Sequence, residues 1–182
     1  MKKGILLIVS LVVILLISGG IFFIFFKSDS SKSEDVTNVE WLETELVDVR
    51  TGEKFKISDF EGKPIFVESF AVWCPICTKQ QEKVKELHNE IGDRFVSISL
   101  DTDPNEDMEK ILEHIERNNF DWYYAVAPVE MTQVLIEEFG NSIINAPSTP
   151  MILICEDLSF RKLGGFTVRS PDKLKEEISK GC

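Results

Sequence analysis

This sequence predicts an α/β fold: a central mixed β-sheet flanked by helices and preceded by an N-terminal transmembrane helix. Three observations carry the prediction. Short apolar runs alternate with amphipathic helical stretches from about residue 39 onward. Ile5 to Phe26, "ILLIVSLVVILLISGGIFFIFF", contains no charged residue. A Cys-x-x-Cys pair, Cys74 and Cys77, sits where one apolar run meets a helical one.

The apolar run at 5–26 matches the roughly 20 residues a helix needs to cross a bilayer. A cleaved signal peptide would have a shorter apolar region, roughly 7–15 residues, followed by a small-x-small site. Here Ser18-Gly19-Gly20 is followed by six more apolar residues and then Lys27, so the reading is an uncleaved anchor. Lys2 and Lys3 place the N-terminus in the cytoplasm and the remainder outside. No cysteine lies near this region, which argues against a lipoprotein anchor. Without Lys2 and Lys3, 18 basic residues face 31 acidic ones, a net charge of −13. That balance argues against nucleic acid as a partner and fits a solvated surface. Charged residues at 28% and hydrophobic ones at 43% are globular composition. The expected organisation is a cytoplasmic N-terminus at 1–4, the anchor at 5–26, a flexible linker at 27–38 and a folded domain at 39–182. "KSDSSKSEDVTN" is the linker, Ser-rich and aperiodic, with a mean reach of roughly 20 Å.

Within the domain, "ELVDVRTGEKFKISDF" carries a Thr51-Gly52 turn between two short alternating runs, hence a hairpin. Pro64 to Phe70, "PIFVESF", is a strand ending just before the cysteine pair. Val84, Leu87 and Ile91 recur at helical spacing in a helix over Thr78–Ile91 that Gly92 stops. "RFVSISL" alternates as a strand. "DTDPNEDMEKILEHIERNN" opens with cap-forming Asp residues and continues as a helix. "FDWYYAVAP" is a strand, and Glu130–Phe139 a short helix before Gly140. "MILIC" and "FRKLGGF" are close enough for an antiparallel pair turning at Glu156-Asp157, and Pro171–Lys180 is a terminal helix.

The cysteine pair has three readings. A tetrahedral metal site usually needs a second pair, but Cys155 and Cys182 have no paired spacing. His88 falls roughly 16 Å along the same helix, and His114 lies on another. A structural disulfide across two residues would remove little unfolded-state entropy. The redox reading explains more. Cys74 lies at a helix mouth, where unpaired backbone N–H groups and the helix dipole favour a thiolate. Pro75 suits the first turn. Cys77, three residues on, shares its face and can resolve a mixed disulfide. Strand alternation places Glu68 on one face with Phe70, where a carboxylate is either at a solvated strand end or a buried proton acceptor for Cys77 with a raised pKa. Thr149-Pro150 precedes "MILIC" either as a cis bond presenting a backbone edge or as an ordinary trans proline at a strand start. Cys155 reads as a buried free thiol and Cys182 as a mobile terminal residue; spacing does not support a bridge between them.

"KFKISDFEGKPIFVESFAVWCPIC" resembles the thioredoxin superfamily, and more narrowly its membrane-anchored TlpA/ResA-like thiol-disulfide oxidoreductases. The resemblance runs from about Val47 to the C-terminus. It implies a thioredoxin-like fold with Cys74 as nucleophile, Cys77 as resolving cysteine, Glu68 as buried acid and Pro150 as the cis-proline. Trp73, Pro75, Ile76 and Thr149 would flank the substrate, and Gly164 or Gly165 would be the late glycine beside the terminal strands. No metal or organic cofactor is implied; the redox group is the Cys74–Cys77 disulfide. Gln80 stands where many ResA-like proteins have glutamate, and Pro75-Ile76 differs from the Gly-Pro of ordinary thioredoxins. The implied activity is reduction, in preference to oxidation or isomerisation, of cysteine pairs in exported proteins, recycled by a membrane electron donor. The alternative is a Sco-like copper chaperone, whose cysteines are spaced more widely and whose histidine is replaced here by Thr149. Peroxiredoxins share the fold, but their Pro-x-x-x-Thr stretch before the peroxidatic cysteine is absent.

Overall fold

The computed structural model describes residues 39–165 and 167–182. The expected anchor and linker lie outside these residues. Among the described residues no helix is long and apolar enough to cross a membrane.

The centre of the domain is β3 (Ile65–Phe70), buried at every position. Its β-branched and aromatic residues suit a strand covered on both faces. Phe66 and Phe70 face an apolar cluster with Val84, Leu87 and Leu174. Ile65 and Val67 face a second cluster with Trp41, Met131 and Leu135. On either side of β3 lie β4 (Val96–Asp101), parallel to it, and β6 (Met151–Ile154), antiparallel. β5 (Tyr123–Val126) adds to β4 in parallel, and β7 (Phe160–Lys162) adds to β6 antiparallel. The sheet order is β5-β4-β3-β6-β7. This is a mixed sheet whose antiparallel portion includes the β3–β6 contact as well as the terminal pair.

The hairpin is also formed, by β1 (Leu46–Val47) and β2 (Lys54–Phe55). Gly52 turns it at φ 74°, a conformation glycine adopts without steric cost. Buried Asp48 organises the turn: its carboxylate accepts from Thr51 Oγ1 at 3.1 Å and from the Tyr124 amide at 3.3 Å, tying the hairpin to β5.

Four α-helices cover the sheet: α1 (Pro75–Ile91), α2 (Met108–Asn118), α3 (Val129–Phe139) and α4 (Pro171–Lys180). Helix α1 starts at Pro75, earlier than its apolar periodicity indicates, because Cys74 caps it. Asp107 and Ser170 cap α2 and α4, accepting from the Lys110 and Lys173 amides. The α4 flank is reinforced by Arg161, whose guanidinium donates to the Glu177 carboxylate at 2.9 Å and to the Gly181 carbonyl at 2.7 Å.

One expectation is overturned at the C-terminus. Cys155 is not free and Cys182 is not loose: the two form a disulfide with Cα atoms 5.9 Å apart. Sequence spacing could not show this, because the pairing depends on α4 folding back along β6. The bridge closes a loop over a separation of 27 residues. Chain-entropy arguments assign such a loop about 3–4 kcal/mol. We therefore expect Cys155→Ala/Cys182→Ala to lose 2–4 kcal/mol in denaturant titration relative to the oxidised wild type, roughly the usual range for one disulfide. A loss below about 0.5 kcal/mol would show that the terminus is held by the Arg161 contacts alone.

Candidate active site

The site is built where β3 ends and α1 begins. Residues 71–73 make the connecting turn, closed by the Cys74 amide donating to the Ala71 carbonyl at 3.1 Å. Cys74 is then the N-cap of α1, and its sulfur accepts the Cys77 amide at 3.2 Å. This is the role Ser or Asp plays at other helix starts, here filled by a sulfur. Cys74 and Cys77 are joined in a disulfide with Cα atoms 5.3 Å apart. Cys77 Sγ lies 3.2 Å from the Ala146 carbonyl oxygen, a ready acceptor for the thiol that reduction would create.

Cys74 sits at the helix tip, yet it is 0% exposed in the disulfide form. It packs in the same apolar cluster as Ala71, Cys77 and Ala146. Trp73, in contrast, is 59% exposed. A cavity of about 310 Å³ opens beside it, with Ala146, Pro147 and Ile144 on the opposite wall. Pro75 is exposed and Ile76 half-buried.

Glu68 lies on β3 and is 5% exposed, which removes the solvated strand-end reading. Register sets its partner: Glu68 stands opposite Ser99 of β4, whose hydroxyl donates to Oε1 at 2.7 Å. The indole of Trp122 in turn donates to Ser99 Oγ at 2.9 Å. Burial pushes the Glu68 carboxyl up to about 7, while Ser99, Gln81 and the Arg169 charge act against the rise. Both histidines are packing groups. His88 stacks on Phe95 and Trp122, and His114, lowered to about 4 by burial, bonds Gln81 at 2.7 Å.

The Thr149–Pro150 bond is trans, which overturns the cis-proline implied by the resemblance. The chain reverses instead through Thr149, held at φ 47° and ψ 54°, a conformation uncommon for a β-branched residue. Two bonds hold it there: the Thr149 amide donates to Ala146 O at 2.8 Å, and its carbonyl accepts from Arg169. Pro150 still delivers β6 beside β3, its carbonyl accepting the Ser69 amide at 3.3 Å.

Arg169 is the residue that sequence reasoning missed. It is 6% exposed, and its guanidinium donates to the carbonyls of Thr149, Leu163, Gly164 and Gly165. Its own backbone is clamped by Gln80, whose Oε1 accepts the Arg169 amide at 2.7 Å and whose Nε2 donates to the Arg169 carbonyl at 3.3 Å. An ionised glutamate at position 80 would have no donor for that carbonyl, so the glutamine amide meets both backbone groups without a proton to hold. The only signal in the sequence was Gln80 itself, in a place where a glutamate is common.

A family model described as Redoxin matches residues 32–152. The chain belongs to the Redoxin family. This Redoxin is similar to a thioredoxin-like protein, YneN, of Bacillus subtilis, with 26% identity over 108 residues, 59% of this chain and 58% of that one. It is also similar to thiol-disulfide oxidoreductase ResA of Bacillus thuringiensis subsp. konkukian, 34% identical over 53 residues, 29% of this chain and 31% of that protein. The matched stretches thus span less than two thirds of either relative. Among solved structures, a secreted Mycobacterium tuberculosis disulfide oxidoreductase homologous to E. coli DsbE superposes with a TM-score of 0.59 at 15% identity, covering 78% of this chain and 98% of that one. That likeness establishes a thioredoxin-like fold for this Redoxin.

The raised Glu68 pKa has a consequence for stability. The folded protein holds the proton more tightly than the unfolded chain, whose carboxyl titrates near 4.5. Its contribution is therefore complete below that value and is lost as pH rises through about 7. Glu68→Gln should flatten the decline in unfolding free energy between pH 4.5 and 7, whose steepest slope for one group is about 1.4 kcal/mol per pH unit. An unchanged slope in the variant would show that Glu68 does not titrate there.

Proposed function

We propose that this protein is a membrane-anchored, extracytoplasmic thiol-disulfide oxidoreductase that reduces disulfides in exported proteins through the Cys74–Cys77 pair. The observation that carries this reading is Cys74 as the N-cap of α1, with its sulfur on the Cys77 amide and bonded to Cys77 in a disulfide. In the reduced protein the Cys74 thiolate attacks one sulfur of a partner disulfide and expels the other as a thiolate. The Cys77 thiol then loses its proton to the Glu68 carboxylate and attacks Cys74 Sγ. The Cys74–Cys77 disulfide forms, the second partner sulfur leaves, and the proton passes to a departing thiolate. Two electrons move from the protein dithiol to the partner. Ala146 O, beside Cys77 Sγ, favours the protonated thiol until that step. The name of the ResA relative, a thiol-disulfide oxidoreductase, supports the reaction class. The charge-free run at 5–26 and the lysines before it support the anchor and the outward-facing domain. A membrane dithiol donor would return electrons to Cys74–Cys77. Trp73, Pro75, Ile76 and Thr149 flank the place where the partner would dock.

Insulin-disulfide reduction with the full chain in detergent tests the reading. Cys74→Ser should abolish turnover, and Cys77→Ser should accumulate partner-linked species on non-reducing gels. Full activity in both variants rejects it. Copper(I) titration of the reduced protein separates the Sco-like alternative, which would bind the metal tightly and leave insulin oxidised.

A further inference from the structure

The turn that leads into Cys74 is also held from a distant loop. The Val72 amide donates to Glu106 Oε2 at 2.7 Å and the Trp73 amide to Glu106 Oε1 at 3.4 Å. One carboxylate, more than thirty residues away, therefore grips both peptide groups leading into Cys74. The Trp73 indole is held separately, donating to Asp103 Oδ2 at 2.6 Å.

Behind Glu106 lies Asp101, at the end of β4 and 1% exposed. Its Oδ1 accepts the Asp103 amide at 2.9 Å, but its Oδ2 is buried without a donor. The neighbour within hydrogen-bonding reach is the Glu106 carboxyl, itself an acceptor. Two carboxyl groups at that approach leave a buried oxygen unsatisfied unless a proton sits between them. Burial, followed by repulsion from Glu106 and Asp103, raises the Asp101 carboxyl to about 7. Among the described residues no cation offsets this. Lys110 of α2 reaches the Asn105 carbonyl and Asp107, His114 turns to Gln81, β5 contributes Val126 opposite Asp101, and the Ala127 amide just beyond it donates to the Asp101 carbonyl.

We propose that Asp101 and Glu106 share one proton, and that Glu106, seated by it, is a positioning residue that holds the Val72–Trp73 backbone closed on Cys74. With the proton present, Asp101 Oδ2 is satisfied and Glu106 keeps both amides. When the proton leaves, two adjacent carboxylates repel, Glu106 withdraws from the amides, and the turn opens toward the cavity beside Trp73. This gives the buried Cys74 a route to a partner, and it rests on the oxidoreductase reading only for its consequence in catalysis.

The test is a pH titration of the oxidised full chain in detergent micelles, followed by the ¹H–¹⁵N signals of the Val72 and Trp73 amides. In the wild type both should move upfield with a common midpoint close to neutral pH as their bonds to Glu106 are lost. Asp101→Asn, whose amide donates to Glu106 at every pH, should leave both signals flat, and so should Glu106→Gln. Glu68→Gln should retain the transition, which separates this pair from the other buried carboxyl. Flat signals in the wild type, or an unchanged transition in both Asp101→Asn and Glu106→Gln, would overturn the proposal. Neither outcome depends on turnover. A protein that fails to reduce insulin but shows the transition keeps the latch and loses the proposed activity.

Discussion

Everything at this site depends on a helix starting where a central strand stops. β3 runs through the middle of the sheet, buried on both faces, and leaves the core at Phe70. Five residues later α1 begins, and its first amides need acceptors. Cys74 supplies one with its sulfur. The same requirement that stabilises the helix therefore sets the electrostatics of the sulfur. Capping and the helix dipole favour a negative charge there, worth about 1 kcal/mol each in ordinary cases. Burial of Cys74 opposes that charge. The geometry sets these effects against each other at one atom.

The rest of the domain fixes that junction from two sides. On one side, Arg169 ties Gly164, Gly165, Thr149 and the flank of α1 together, with Gln80 reading its backbone from the helix. Since Thr149 leads into β6 and β6 pairs with β3, this hub links the strand that carries Glu68 to the helix that carries the cysteines. On the other side, the loop after β4 grips the turn through Glu106 and Asp103. The buried polar groups around the site are thus connectors between segments distant in sequence. That role explains why a largely apolar interior tolerates them.

Much of this was legible in the sequence because it is local. Strand and helix periods, the Cys-Pro-x-Cys spacing and the alternation that puts Glu68 on one face with Phe70 all follow from neighbouring residues. The antiparallel partner of β3, the Cys155–Cys182 bridge and the Arg169 hub do not, since each depends on how remote segments meet. Gln80 showed the limit most clearly. In the sequence it was only a departure from glutamate, whereas the fold uses both ends of its amide. Cys74 illustrates a second limit: a helix N-terminus is readable, but the cover formed by Ala71 and Ala146 is not. Thr149-Pro150 was open between two isomers, and the left-handed Thr149 is set by Arg169, a tertiary contact.

The account stands or falls on whether capping and the helix dipole outweigh burial at Cys74 once the disulfide is reduced. Thiolate absorbance of the reduced protein, titrated against pH with Cys77→Ser to isolate the first sulfur, measures this directly. The account predicts a Cys74 midpoint well below the ordinary thiol value of about 8.5. A midpoint at or above that value would contradict it, since desolvation would then control the sulfur and α1 would contribute packing alone.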